Sequence, residues 1–132
     1  MASIHREVRI RTDPQDAWDA LRDVGALHTR LAPGFINDVR MEEGARVVTF
    51  GTGLVARELI VDVDEERHRV AWSVVGGTMT HHNASAQVFP DNDGYCRFIW
   101  IADLLPHDMA PGVAAMMDQG LAVIKRTLEG GK

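Results

Sequence analysis

Two side chains near the middle of the chain could move a proton or anchor a polar group: Glu58 and His82. His82 shares a strand parity with Ala84, Ala86 and Val88, whereas His81 shares one with Asn83, Ser85 and Gln87. Successive side chains on a strand point to opposite faces, so His82 faces a small apolar surface and His81 faces water. A histidine on an apolar face is either a hydrogen-bonded core residue or a general acid–base. Glu58 lies in Val55–Val63, where Val55, Leu59, Val61 and Val63 hold the opposite parity. By that pattern Glu58 faces outward. Were it buried instead, it would have to be paired, hydrogen-bonded or protonated, and each state makes it a polar anchor. Glu58 with His82 is the best acid–base pair on offer.

Other chemistry finds less support. His81 and His82 point apart and cannot easily share a metal. His28, His68 and His107 have no ligand spacing, so no metal site is expected. Cys96 opens a strand with no histidine close in sequence, which reads as a plain buried thiol. There is no nucleophile elbow, P-loop or dinucleotide fingerprint, and no cofactor is expected.

These residues need a frame. Ser3 to Arg11 alternates, with Ile4, Val8 and Ile10 on one face, and reads as a half-buried strand. Asp13-Pro14-Gln15-Asp16 is a helix start, with Asp13 as the cap and Pro14 at the first helical position. Trp18 and Leu21 give this short helix its apolar side, and Gly25 breaks it. Ala26 to Ala32 reads as a second short helix, stopped by Pro33-Gly34. From Asn37 to Pro106 turn signals separate six runs: Val39–Met41, Arg46–Phe50, Val55–Val63, Arg69–Val75, Thr80–Phe89 and Cys96–Leu105. Short connections between them argue for an antiparallel meander. Val70, Trp72 and Val74 should share the inward face. So should Phe98, Trp100, Ala102 and Leu104, although Ile99 and Ile101 compete for it.

The last segment is the clearest helix. Val113, Met116, Met117, Gly120, Leu121, Ile124 and Leu128 follow the helical repeat, with Pro111 in the first turn and Gly130-Gly131 at the end. Gly120 sits inside this apolar stripe, at a cost of up to about 1 kcal/mol against alanine. Either the helix approaches the sheet closely there or room is left for a guest, and the expectation is a cavity that Gly120 helps to form. Met116 and Met117 are flexible enough to line an irregular pocket, or are simply core. A long amphipathic helix against a curved antiparallel sheet is an α+β arrangement, and a straight helix cannot press on such a sheet along its whole length.

Composition bounds the answer. The chain has 132 residues, 45% hydrophobic and 25% charged, and reads as a single domain over residues 1–132. Fourteen Lys+Arg against nineteen Asp+Glu give a net charge of −5, which disfavours nucleic acid as a partner. One cysteine excludes a disulfide framework and fits a reducing cytoplasm. The first seven residues carry charge where a signal peptide needs an apolar run, and the stretch Phe98–Leu105 is too short to span a bilayer. A cytoplasmic protein with no membrane partner is expected, and a homodimer is left open.

Several runs resemble a known family. They are Val55-Ala56-Arg57-Glu58-Leu59-Ile60, Asp64-Glu65-Glu66-Arg67-His68 and Val74-Val75-Gly76-Gly77, with Ala32-Pro33-Gly34, the turn from Pro90 to Arg97, and the final helix. In this order and spacing they resemble the START-like polyketide cyclase/dehydrase superfamily. The resemblance implies the helix-grip fold: a seven-stranded curved antiparallel sheet around a long C-terminal helix, two short helices after the first strand, and a deep apolar cavity. The middle of the chain also resembles the plant abscisic-acid receptors of that superfamily. By that resemblance Glu58 turns into the cavity, against the parity pattern, with Trp72, Ala84, Ala86, Met116 and Gly120 around it. The receptors' lysine near the cavity floor has no clear counterpart, the loop from Gly51 to Val55 is shorter than the receptor gate, and Ala84 and Ala86 replace polar residues. Hormone binding is therefore set aside. The aromatase/cyclases of the superfamily are similar in the Trp100 strand.

The first functional expectation is a carrier, sensor or store for a small hydrophobic or aromatic ligand. Its site would comprise Glu58, Trp72, His82, Ala84, Ala86, Trp100, Met116, Met117 and Gly120. The second is a cyclase, dehydratase or isomerase in the same cavity, with Glu58 or His82 moving a proton. The third is an interaction domain resembling superfamily members that regulate a chaperone ATPase, whose mark would be an apolar patch on the outer sheet face.

Overall fold

A computed structural model describes residues 2–130. Gly131, expected to end the last helix, lies outside them. Strand β1 (Ala2–Ile10) leads into helix α1 (Pro14–Arg22) and the one-turn helix α2 (Leu27–Arg30). Six strands follow: β2 (Ile36–Glu42), β3 (Ala45–Phe50), β4 (Val55–Asp64), β5 (Arg69–Val75), β6 (His81–Pro90) and β7 (Cys96–Leu105). A 3-10 turn at His107–Met109 then feeds helix α3 (Ala110–Gly130).

Local chemistry accounts for these elements. The Asp13 side chain accepts the Gln15 amide at 2.8 Å and caps α1, with Pro14 at the first helical position. Helix α1 buries Ala17, Trp18, Ala20 and Leu21. Trp18 also stacks on His68 with ring centroids 5.1 Å apart, which fixes α1 over the β4–β5 turn.

The strands form one antiparallel sheet of seven in the order β1-β7-β6-β5-β4-β3-β2. The meander expected from short connections accounts for β2 through β7. The first strand closes the far edge by pairing with β7, from Ala2 opposite Leu104 to Ile10 opposite Cys96. Register irregularities in β2 between Ile36 and Asp38, and in β4 between Ile60 and Asp62, bend the sheet. The second one carries information. Glu58 and Ile60 pair with Val74 and Trp72, but after the bulge it is Val63 that pairs with Val70. Parity thus reverses within one strand, and Val63 ends on the same side as Glu58. The alternation that places Glu58 outside assumes an unbroken strand, and β4 is broken.

Helix α3 is 21 residues long, about 31 Å. It lies over β1, tied there by polar contacts. Arg6 Nε donates to Asp118 Oδ1 at 3.0 Å, Lys125 Nζ to the Arg9 carbonyl at 2.9 Å, and the Arg11 amide to Glu129 Oε2 at 2.8 Å. Pinned along one edge strand, the straight helix cannot also follow the curve through β4–β6. The gap between them is the cavity. No described helix is long and apolar enough to cross a membrane.

A divided cavity with a buried ion pair

The space under α3 is divided into two chambers. The larger is about 500 Å³ and opens to solvent between the β3–β4 loop, the β5–β6 turn and the first turns of α3. The smaller is about 50 Å³ and lies deeper, under α1 and α2. Phe50, Glu58, Trp72 and Trp100 line both and form the partition. The rings of Trp72 and Trp100 stand 6.5 Å apart at 50°.

The deepest polar contact is one that the sequence reading missed. Arg46 Nε donates to Glu58 Oε1 at 2.8 Å, with side chains only 3% and 9% exposed. Arg46 Nη1 also donates to the Val24 carbonyl at 3.3 Å, and the guanidinium carbon sits 5.1 Å from the Trp72 ring centre. So the interior does hold a cation, although no lysine stands in the receptor-like position. The signal was there: Arg46 shares its parity with Val48 and Phe50, and a charge on a buried parity needs a partner. Register brings the partner, since Arg46 lies directly opposite Glu58 across β3–β4. Burial pushes the Glu58 carboxyl above its usual range, while the charge and hydrogen bond of Arg46 pull it back.

His82 lines the larger chamber, buried on the inward face as its parity predicts. Its Nδ1 is sealed and finds no hydrogen-bond partner among the described residues. Burial, and then the neighbouring His81, lower its pKa, so the ring stays neutral. Glu58 lines the same chamber, but no hydrogen bond joins it to His82. Strand β5 lies between the two residues, which separates their backbones by roughly 10 Å, and the carboxylate already holds Arg46.

Trp72 and Trp100 face both chambers, Ala84, Met116 and Met117 face the larger, and Ala86 faces the smaller. Gly120 is the correction. It lines neither chamber. A Cβ there would stand 2.9 Å from both Phe35 Cε2 and Trp100 Cζ3. The glycine permits close contact between helix and aromatic rings instead of leaving room for a guest. Phe35, which the sequence reading did not single out, is held by its own loop. Its carbonyl accepts the Gly51 amide at 2.9 Å, and a Cβ on Gly51 would lie 2.3 Å from the Gly34 carbonyl oxygen. That backbone approach requires glycine. Phe50 stands edge-on to Phe35 at 5.6 Å, and both rings line the smaller chamber beside the partition.

Elsewhere the sites are ordinary. Cys96 is fully buried and its thiol is raised to about 11 by burial, helped by Asp13 and Asp91, so it is no nucleophile. No three His, Cys, Asp or Glu among the described residues converge to hold a metal ion. A polar cleft at the far end of α3 includes Arg11, Lys125 and Glu129, but Lys125 and Glu129 already pair with each other.

A family model described as polyketide cyclase/dehydrase and lipid transport matches residues 1–129. The chain belongs to this family. Solved structures agree on the fold. An uncharacterised Bacillus thuringiensis protein superposes with a TM-score of 0.88 at 14% identity, over 96% of this chain and 98% of that one. A START superfamily protein from Mycobacterium smegmatis gives 0.71 at 12% identity, over 99% and 97%. Norcoclaurine synthase from Thalictrum flavum gives 0.68 at 17% identity, over 91% and 90%. At these identities the likeness is one of fold, the helix-grip arrangement of a START-like cavity protein. A search of curated proteins finds no match.

Proposed function

We propose that this family member binds a small hydrophobic or aromatic molecule in the larger chamber and acts as its carrier, sensor or store. The observation that carries this reading is the chamber itself. It has about 500 Å³ of room, an open mouth, and walls of tryptophan, methionine, valine and alanine with few polar groups. Such a volume and lining are those of small-molecule sites. The glycines Gly76 and Gly77 and the exposed Leu54 at the rim leave the entrance unobstructed by large polar side chains. Native mass spectrometry of the purified protein, with melting curves over a panel of apolar compounds, tests it. A retained compound, or a melting temperature that rises with ligand concentration, is expected. A protein that admits no guest at any concentration overturns it.

One observation favours a second reading, catalysis on a polyketide-like or aromatic substrate. His82 is neutral, buried and unpartnered on the chamber wall, as a general base would be. The fold is also that of a norcoclaurine synthase, an enzyme. Fold alone does not carry activity, and Glu58 is engaged with Arg46. Unchanged turnover of a candidate substrate in a His82→Ala variant would end this version. A chaperone-regulating role ranks third, because the outward row of β6 is the polar set Asn83, Ser85 and Gln87.

A further inference from the structure

The two ends of the buried ion pair do not face the same space. Arg46 lines only the inner chamber, behind Glu58 and against Trp72. Glu58 lines both chambers, and the wall of the larger one contains no arginine or lysine at all. A guest in the larger chamber therefore meets the carboxylate and not the guanidinium. Only Oε1 of that carboxylate is used by the protein; no donor among the described residues reaches Oε2. The rest of the wall offers no competing charge, since the other buried titratable group, His82, is neutral.

We infer that the larger chamber selects an uncharged ligand bearing a hydroxyl or amide hydrogen, which donates to Glu58 Oε2, and rejects carboxylates. This rests on the ligand-binding reading above and names the class of ligand. An anionic head would bring like charge against Glu58 in an apolar surround with no cation in view. A cationic head also loses its water on entry, and it meets a carboxylate that Arg46 already holds at 2.8 Å, so the attraction left to it does not repay that loss. A neutral donor loses the least solvation and finds in Oε2 an acceptor that no protein donor occupies, next to the charge-assisted Arg46 contact. Arg46 thus acts as a positioning residue. Its charge and hydrogen bond oppose the upward push of burial on Glu58 and hold Oε1 inward, leaving Oε2 for the guest.

Isothermal titration calorimetry with four probes that share one ring system tests this: methylnaphthalene, naphthylmethanol, naphthoate and naphthylmethylammonium. In the native protein the alcohol should bind about tenfold more tightly than the hydrocarbon, and both ions more weakly than the alcohol. In the double variant Arg46→Met with Glu58→Leu, which replaces the pair by apolar side chains of similar bulk, the hydrocarbon should still bind. The advantage of the alcohol and the penalty on naphthoate should vanish together. Binding of naphthoate or of the ammonium as tightly as the alcohol overturns the inference, as does an alcohol preference that survives in the double variant. Failure of all four probes to bind overturns the ligand-binding reading. Equal binding of all four probes removes only this inference and leaves the cavity standing.

Discussion

Arg46 and Glu58 show how much a single buried contact decides. Each charge alone would be untenable at its depth, and together they are held by one hydrogen bond of 2.8 Å. Replacing Arg46 alone by methionine should destabilise the protein by about 3–5 kcal/mol at neutral pH, since the carboxylate is left uncompensated. The double change Arg46→Met with Glu58→Leu should cost far less. Chemical denaturation of the two variants measures the difference. The pH dependence has a definite sign. Burial raises the folded pKa of Glu58, and loss of Arg46 removes the opposing effect and raises it further. A carboxyl that holds its proton more tightly when folded contributes stability at low pH and loses it as pH rises through the folded pKa. The single variant should therefore recover stability on acidification, and a deficit that grows towards acid would refute this account. His82 works the other way. Its folded pKa lies below the ordinary 6.5. The unfolded chain takes up the proton first, so stability falls as pH drops below that value, and His82→Gln should remove part of that loss in melts from about pH 7.5 to 5. Cys96, raised to about 11 and fully buried, should resist iodoacetamide at pH about 8 in the native state and react on unfolding.

At the scale of elements, helix α3 is set by what it touches. Along β1 it is fastened by Arg6–Asp118 and by the Lys125 and Glu129 contacts to the β1 backbone and its exit. At Gly120 it rests on Phe35 and Trp100 with no room for a side chain. Gly120→Leu therefore overpacks. The gain in helix propensity, several tenths of a kcal/mol, is smaller than the roughly 1–3 kcal/mol cost of forcing two rings aside. A thermal melt should show a clear drop, and an unchanged or raised melting temperature would mean that the rings yield freely. The expectation of a cavity at Gly120 fails for a reason the helix pattern could not contain. An apolar stripe says which side of a helix is buried, and it does not say which loop residue will fill the space opposite. Phe35 fills it.

For the whole molecule, the partition is the feature that matters. Phe50, Glu58, Trp72 and Trp100 separate a chamber of about 500 Å³ from one of about 50 Å³. Phe50→Leu thins the wall and should cost on the order of 1 kcal/mol of stability. It should also extend the usable length of the site. Apolar compounds one or two carbons longer than the native limit should then raise the melting temperature of the variant and not of the native protein. If both accept the same lengths, the partition does not set the limit.

The amino-acid sequence by itself determined the element order, the meander from β2 to β7, the capped start of α1 and the apolar face of α3. Each of these follows from local periodicity, turn residues and capping, which act over a few positions. It also placed His82 inward, because β6 alternates without a break. The alternation of β4 taken alone points Glu58 outward, because it cannot show the bulge between Ile60 and Asp62 that reverses the faces, whereas the family resemblance points it inward. Only the tertiary structure decided that β1 closes onto β7, that Arg46 meets Glu58, and that Phe35 occupies the space at Gly120. These contacts join residues that are distant in the chain or that hang on the register of neighbouring strands. Their energies depend on burial, and no residue is buried until the sheet has curved around its helix.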